Sequence, residues 1–346
     1  MTTSPANVSL LADDVETDLR ASVRRAIEKH APPEAVNGLY DGQDTVTEPL
    51  WSAFGELGLP GLLVPESLGG AGATAREAAA VLEELGRAAA PSPFLTSSVV
   101  ATTALVALGD TALLPSLASG AQTAALLVSP STGKPSLRVV GAPADVLLLP
   151  EGDALYAVRG ASVTPVSSLD MTRPLADVSL DGAERTLVSS SASAAVERAL
   201  LTGAGLLAAE QVGLARWALE TTVAYLQERR QFGRVVGGFQ AIKHRLADLY
   251  AEVEQADAGA RYAAATLATD DPDAPVAVAV AASYCAEVAV HACEEAIQLH
   301  GGLGMTWEHP AHLHLKRAKA DALLLGTPEA HRARLAVLVD LLPPEA

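Results

Sequence analysis

The chain has 346 residues, of which 49% are hydrophobic, and it carries a formal net charge of −17. This length allows two or three domains around a large buried core. The excess of acidic residues argues against nucleic acid and anionic membranes as partners, because both are negatively charged. Residues 1–7 are polar rather than signal-like, and the longest apolar run, about 274–286, is shorter than a membrane span. We therefore expect a cytoplasmic protein.

Residues 8–122 predict helices. The segment Thr74-Ala75-Arg76-Glu77 has the spacing of a capping box, which satisfies free backbone N–H groups at a helix start. We expect a helix from there to about Gly86, with the glycine at its C-terminus. The run 70–75 also fits a dinucleotide-binding fingerprint, but residues 65–68 separate it from the preceding apolar run and no strand–helix alternation follows. A Rossmann fold is therefore disfavoured.

Residues 123–190 have a different pattern, in which valine, leucine, serine, threonine and glycine dominate and helical periodicity is absent. Short apolar runs between Gly, Pro and Asp turns predict strands. The stronger candidates are 124–128, 137–140, 146–149 and 155–158, and the weaker ones are 163–166 and 186–188. This pattern predicts a small antiparallel β-domain inserted between helical ones.

From about residue 192 the chain is again helical and rich in alanine. The changes of pattern divide the chain into an N-terminal helical domain (1–122), a middle β-domain (123–190) and a C-terminal helical-bundle domain (191–346). The predicted fold class is mainly α with a small inserted β-domain.

Two helices of the last domain meet at a corner rich in cations and amides. The first helix ends near Arg229, and glycines at 233, 237 and 238 interrupt the chain before the next helix. Arg229, Arg230, Gln231 and Gln240 gather at this corner. Guanidinium groups bind phosphate oxygens, and amides can read the edge of a purine. A solvated helix end with cations near its C-terminus explains the same residues, so both interpretations stay open on the residues alone.

Three segments together resemble the acyl-CoA dehydrogenase family, and they occur in that family's order. They are Leu57-Gly58-Leu59-Pro60-Gly61 with Gly69-Gly70-Ala71-Gly72, Arg229-Arg230-Gln231-Phe232-Gly233 with Phe239-Gln240-Ala241-Ile242, and Gln298-Leu299-His300-Gly301-Gly302-Leu303-Gly304. The resemblance implies an N-terminal helical domain, a middle antiparallel β-domain and a C-terminal four-helix bundle. It also implies FAD as cofactor and the α,β-dehydrogenation of an acyl-CoA substrate.

In that family the flavin ring lies on a subunit's own β-domain, and the neighbouring subunit's helical domain holds the adenosine diphosphate half. By resemblance, Arg229, Gln231 and Phe232 match the positions that hold the diphosphate and adenosine. Gln298, Gly301 and Gly302 match the adenine-side loop, where glycines allow a close backbone approach. The alternative is a purely structural role of these residues at the dimer interface, and nucleotide binding is the favoured interpretation.

The flavin-ring part of the family's site has no clear counterpart. The family has a turn of the type Thr-Glu-Pro-Gly-Ala-Gly-Ser-Asp that contacts the flavin. The corresponding stretch here is Val128-Ser129-Pro130-Ser131-Thr132-Gly133-Lys134-Pro135, in which only the proline is clearly retained.

The catalytic base is also missing from its expected positions. In most of the family it directly precedes a Gly-Thr pair, but here Leu325 precedes Gly326-Thr327. A second base position, used by some members, aligns near Gly203. Glu210 and Glu308 are weak candidates for a displaced base. Losing a general base typically costs about 10²- to 10⁴-fold in rate, so a free-standing catalyst is not expected.

The cluster His309, His312 and His314 lacks a suitably spaced carboxylate or cysteine, so we predict no metal site.

Taken with the missing base, the resemblance predicts the short, non-catalytic subunit of an α2β2 acyl-CoA dehydrogenase resembling those of steroid side-chain breakdown. A catalytic paralogue would supply the flavin-ring pocket and the glutamate. Two alternatives remain open, namely a homomeric dehydrogenase with a displaced glutamate and a flavin-free binding or scaffolding protein on the same fold.

Overall fold

The computed structural model describes residues 10–341 of the chain. Helices form the N-terminal part. They are α1 (Asp14–His30), α2 (Pro33–Gly38), α3 (Thr47–Glu56), α4 (Ala75–Ala88), α5 (Thr102–Ala107) and α6 (Leu114–Ala118). A π-helical segment, Phe94–Ala101, runs directly into α5. The polar run at residues 1–7 lies outside the described residues.

Strands between residues 124 and 189 form two small sheets. Their bounds are β1 (Ala124–Leu126), β2 (Arg138–Val140), β3 (Val146–Glu151), β4 (Ala154–Arg159), β5 (Ser162–Val166), β6 (Leu175–Ser179) and β7 (Glu184–Ser189). The first sheet has the order β1-β3-β4-β7 and the second has the order β2-β6-β5. Neighbouring strands are antiparallel except β1 and β3, which run parallel because the chain forms β2 in the other sheet between them.

Each of the six predicted strand segments contains a strand, but β6 was not predicted. Its buried Ala176 and Val178 alternate with more exposed residues, and one of these, Asp177, has a low strand propensity. Pairing with β2 and β5 on both sides forms the strand despite that residue.

The C-terminal part is a bundle of long helices. They are α7 (Ser193–Glu228), α8 (Gln240–Ala268), α9 (Ala274–His300), α10 (Ala311–Asp321) and α11 (Pro328–Leu338). A short hairpin, β8 (Arg230–Gln231) and β9 (Arg234–Val235), connects α7 to α8. The predicted order of helices, strands and a helical bundle is confirmed, whereas the domain boundaries at 122 and 190 remain a prediction.

Helix α9 extends well beyond the apolar run noted in the sequence. It is long and apolar enough to cross a membrane, but 67% of its most apolar window is buried inside the protein. Its buried residues include many alanines that face the neighbouring helices of the bundle. This burial is typical of the core helix of a globular protein.

Gly86 marks the crossing of two helices rather than the end of one. The capping box at Thr74 is present, but α4 continues to Ala88, and the following Ala89 adopts the left-handed conformation. A Cβ added to Gly86 would lie 2.0 Å from the carbonyl oxygen of Glu210 in α7. Gly213 of α7 approaches α4 in the same way. The glycines therefore allow the backbones of α4 and α7 to touch.

Replacing Gly86 with alanine should push α4 and α7 apart and destabilise the protein by about 1–3 kcal/mol, the usual cost of overpacking. Gly259 of α8 is a matched control, since the nearest atom to its added Cβ lies 4.0 Å away. Gly259→Ala should stabilise the protein by about 0.5–1 kcal/mol, because alanine is the better helix former. Urea unfolding of both variants checks this, and equal effects would show that the crossing is not tight.

Candidate functional site

A tight hairpin at the end of α7 presents Phe232 to solvent. Arg230 pairs with Val235 and Gln231 pairs with Arg234 across it. The two turn residues, Phe232 and Gly233, both have positive φ angles, of 52° and 75°. This is the geometry of a type I′ turn, which suits hairpins but is costly for a phenylalanine. The Phe232 side chain is nevertheless 89% exposed, and the ring contact it makes among the described residues is an edge-on one with Phe239, at 6.3 Å between centroids.

A second exposed loop follows α9. Gly301 has φ 61° and ψ −136°, a conformation that is essentially restricted to glycine. Added Cβ atoms at Gly301 and Gly302 would meet no atom within 4 Å, so the backbone of the loop faces open space. Gly304 is different, because its added Cβ would lie 2.5 Å from the carbonyl oxygen of Ile297. Packing at Gly304 therefore holds the loop, while Gly301 and Gly302 leave its outer face accessible.

The structure brings these two loops to the same end of the bundle. The ring of Tyr225, in the last turn of α7, stacks on His300, the last residue of α9, with 4.5 Å between ring centroids. The Tyr225 hydroxyl also donates a hydrogen bond to the His300 carbonyl oxygen at 3.5 Å. Consequently the predicted cofactor residues lie at one end of the bundle, on α7, the hairpin, α9 and the glycine loop: Arg229, Gln231, Phe232, Gln298, Gly301 and Gly302.

The hairpin carries cations without partners. Within residues 10–341, neither Arg229 nor Arg230 forms an ion pair, and both are exposed. Arg234 is already engaged, since it donates to the carbonyl oxygen of Gly238 at 2.8 Å and lies over the ring of Phe239. Arg229 and Arg230 are therefore available to an anion, although the chain as a whole is strongly acidic.

A cluster of aromatic rings packs beside the glycine loop. His309, which follows the loop, lies 4.3 Å from His300 and 6.3 Å from Trp217, and Trp217 stacks on His314 with centroids 3.4 Å apart. Burial lowers the pKa of His309 and of His314 to about 4, so both rings are neutral at pH 7. Among residues 10–341 no three potential ligands converge on one point; these histidines pack as aromatic rings.

Leu325 and Gly203, the two positions predicted to align with the family's base, lie in contact at a different part of the molecule. An added Cβ at Gly203 of α7 would lie 2.9 Å from Cδ1 of Leu325 and 2.7 Å from Cγ2 of Val100. The Leu325 N–H donates to the carbonyl oxygen of Pro130 at 2.6 Å. The adjacent cavity has a volume of only about 30 Å³, and its lining, which includes Leu325, contains no carboxylate. The surroundings of Leu325 and Gly203 are therefore apolar, with no carboxylate among the residues that line this cavity.

Glu210 is occupied by structural ion pairs. It is fully buried, and its Oε1 accepts hydrogen bonds from Arg173 at 2.6 Å and from Arg317 at 2.7 Å. Burial alone would raise the pKa of Glu210, but the charges of Arg173 and Arg317 outweigh it and lower the pKa. Such a carboxylate is a poor proton acceptor and has no access to solvent.

Glu308 is exposed and lies before the start of α10, whereas Leu325 lies beyond its end. The 11 residues of α10 span about 15 Å, since an α-helix rises 1.5 Å per residue. Glu308 and Leu325 therefore lie at opposite ends of α10.

The ion pairs of Glu210 belong to a buried network that joins the strands to the bundle. Arg317 of α10 also donates to the Thr172 hydroxyl at 2.6 Å and pairs with Asp170 at 3.4 Å, on the segment between β5 and β6. Burial and the nearby Glu210 raise the pKa of Asp321 to about 8. Sequence reasoning missed this network, because its members are far apart in the chain and have no shared spacing.

A larger cleft lies between the strands and helices α9 and α10. Its volume is about 640 Å³, which lies within the usual range for small-molecule sites. Its lining is mainly apolar, with four carboxylates, and its two strong cations are already paired: Arg173 with Glu210, and Lys319 with Glu294 at 2.7 Å. The cleft can accommodate a ring, but it offers no uncommitted cation for a diphosphate. The residues present thus fit the adenosine diphosphate half of FAD at the hairpin and not in this cleft.

Comparison with known proteins identifies the family to which this fold and these residue patterns belong. The model of the acyl-CoA dehydrogenase N-terminal domain matches residues 13–121, and the model of the acyl-CoA dehydrogenase C-terminal domain matches residues 193–338. The chain belongs to the acyl-CoA dehydrogenase family.

Particular relatives match over nearly the whole chain. Acyl-CoA dehydrogenase IpdE2 of Mycolicibacterium smegmatis is 38% identical over 318 residues, which cover 92% of this chain and 96% of that protein. IpdE2 of Mycobacterium tuberculosis is also 38% identical, over 92% of this chain and 95% of its own length. A chain of the ChsE4-ChsE5 complex from Mycobacterium tuberculosis has a TM-score of 0.85 at 24% identity, covering 97% of this chain and 100% of its own. A variant of the steroid ACAD Tcur3481-Tcur3483 has a TM-score of 0.81 at 26% identity. The match covers 94% of this chain and 98% of that chain.

Proposed function

We propose that this chain is the non-catalytic subunit of a heteromeric, cytoplasmic acyl-CoA dehydrogenase. It pairs with a catalytic paralogue in an α2β2 assembly and completes that paralogue's FAD site. The contact between Leu325 and Gly203 carries the proposal, since apolar groups occupy both places where this family positions a base. The paralogue supplies the base and the surroundings of the flavin ring.

The exposed end of the bundle is this chain's contribution to the shared site. The guanidinium of Arg229 binds diphosphate oxygens, which charge-assisted hydrogen bonds favour. The amides of Gln231 and Gln298 hydrogen-bond the adenosine, and the exposed ring of Phe232 gives it an apolar contact. The open backbone at Gly301 and Gly302 lets the nucleotide approach closely. When bound, FAD supplies the hydride acceptor for dehydrogenation of the acyl-CoA.

The relatives support both the pairing and the substrate class. The ChsE4-ChsE5 structure is a complex of two named proteins, and Tcur3481-Tcur3483 likewise carries a paired name and is a steroid ACAD. By analogy we assign this chain to an enzyme that acts on a bulky acyl-CoA, such as a CoA ester of a steroid side chain.

One observation favours a second candidate, a homomeric dehydrogenase. The cleft of about 640 Å³ beside the strands is large enough for a flavin ring. This candidate still lacks a base, since Glu210 is buried in ion pairs and Glu308 lies at the far end of α10. The heteromer therefore accounts for more of the structure.

Flavin content and molecular mass test the proposal. The chain is purified alone and after co-expression with a longer paralogue that retains the Glu-Pro-Gly-Ala-Gly-Ser turn and a glutamate before Gly-Thr. We expect a colourless chain alone and a yellow complex with one FAD for each unlike pair. One FAD per chain in a homomer would contradict the proposal and support the second candidate. A stable complex without flavin would point to a scaffolding role.

A further inference from the structure

Helix α10 ends at an aspartate, Asp321, whose carboxylate lies in the buried network without a hydrogen bond. Its side chain is 0% exposed, and it lies 3.3 Å from Nη2 of Arg173 and 3.8 Å from Nε of Arg317. Among residues 10–341, neither of its carboxylate oxygens accepts a hydrogen bond, and Oε2 of Glu210 accepts none either. The Gln211 amide donates to the backbone carbonyl oxygen of Asp321 and not to its side chain. An ionised carboxylate in these surroundings is costly to bury.

The charges of this buried network do not cancel. Three carboxylates, those of Asp170, Glu210 and Asp321, face the two guanidinium groups of Arg173 and Arg317, and each of these side chains is at most 5% exposed. If every group were ionised, one negative charge would remain in the interior of the protein. Because Glu210 accepts hydrogen bonds from both arginines, Asp321 is the carboxyl group that gains most from a proton.

Other groups packed around Asp321 do not supply the missing positive charge. On α9, burial raises the pKa of the Cys293 thiol, which is therefore neutral. On α10, Lys316 faces Asp170 electrostatically, but its ammonium lies over two aromatic rings and forms no ion pair within residues 10–341. Lys319 is already paired with an exposed carboxylate.

We infer that Asp321 is a buried proton-binding site, and that its proton holds the segment between β5 and β6 against the bundle. Asp170 and Arg173 lie on that segment, whereas Glu210 belongs to α7 and Asp321 to α10. With the proton present, the network is neutral. Without it, the charge of Asp321 repels those of Glu210 and Asp170. Since Asp170 and Arg173 also line the cleft of about 640 Å³, the proton stabilises one wall of that cleft.

This proton makes the stability of the fold depend on pH. Burial and the nearby Glu210 raise the pKa of Asp321 to about 8, whereas an aspartate in an unfolded chain has a pKa of about 3.9. Between these two values the folded protein holds one proton more than the unfolded chain, so its stability falls as the pH rises. Above about pH 8 both states are ionised, and the loss is complete.

The test compares the wild type with Asp321→Asn, as the full chain without flavin or partner, by urea unfolding at two pH values. Between about pH 6.5 and pH 8, the unfolding constant of the wild type should rise about tenfold more than that of Asp321→Asn. Histidines and cysteines of the unfolded chain also titrate near this range, and the comparison cancels their contribution. An equal pH dependence of the two proteins would overturn the inference.

Glu294→Gln is the matched control, because it also removes one carboxylate beside the cleft, but one that is 50% exposed. It should retain the pH dependence of the wild type. A loss of that dependence in both variants would also overturn the inference, since it would assign the effect to general charge.

Infrared spectroscopy of the wild type provides a measurement that does not require Asp321→Asn to fold. We expect the carbonyl band of a protonated, buried carboxyl group at pH 7, and its loss as the pH passes about 8. Absence of this band at pH 7 would contradict the inference. So would a stability that depends on potassium concentration at constant ionic strength, because a bound cation would then neutralise the network. Since neither flavin nor partner is present, these outcomes are independent of the flavin stoichiometry that tests the proposed function.

Discussion

Replacing Arg317 with methionine should lower the free energy of unfolding by about 3–5 kcal/mol, the usual cost of removing one partner of a buried ion pair. The Arg317 side chain is only 2% exposed. Burial alone would lower its pKa, but Glu210, Asp170 and Asp321 outweigh that effect and raise it, so the side chain remains charged. Methionine retains most of the apolar volume while leaving Asp170 without the cation it pairs with and Glu210 with Arg173 alone.

Arg245→Met is the control for this prediction. Arg245 pairs with Glu295 at 2.6 Å, but its side chain is 44% exposed, and such pairs contribute about 0–1 kcal/mol. Urea unfolding followed by circular dichroism measures both variants. Adding Asp170→Asn to the Arg317 variant should recover part of the loss, because Asp170 pairs with Arg317 and a neutral amide is less costly to bury than an unpaired carboxylate. Similar stabilities of the two single variants would show that the buried network is not a main support of the fold.

Replacing Arg229 with alanine should weaken FAD binding by the co-expressed complex about 10- to 100-fold. A hydrogen bond to a charged group contributes about 1.5–3 kcal/mol, and each 1.4 kcal/mol is a factor of ten in affinity. Since Arg229 is exposed and forms no ion pair within the described chain, the stability of this subunit alone should not change. The measurement is the FAD dissociation constant of the complex, from the quenching of flavin fluorescence.

Lys243→Ala is the matched control, because it removes one positive charge from an exposed position on the first turn of α8, beside the same hairpin. It should leave FAD affinity within about twofold of the wild type, since it loses only a screened long-range charge. An equal loss in both variants would mean that general charge, rather than a specific contact of Arg229, holds the nucleotide. No loss in either would remove Arg229 from the proposed site.

The family and the order of the elements could be predicted from the sequence alone, and the sequence also predicts that no base stands at Leu325 or Gly203. These conclusions depend on local patterns. Capping at Thr74 and the glycine breaks after α7 and α9 are readable from neighbouring residues. The end of α7 at Glu228 likewise lies within one residue of the predicted end near Arg229, because the glycines that follow interrupt the helical pattern.

Which of these residues meet depends on the packing of the whole chain and could not be predicted from the sequence. Gly203 and Leu325 are distant in the chain, and their contact depends on how α7 packs against the loop after α10. Gly86 looked like a helix end, but it proved to be a helix crossing. The Arg317 network and the positive φ angle of Phe232 had no local signal at all. Hydrophobic periodicity reports which face of a helix is buried but not which partner covers it, so such contacts emerge only when the whole chain is packed.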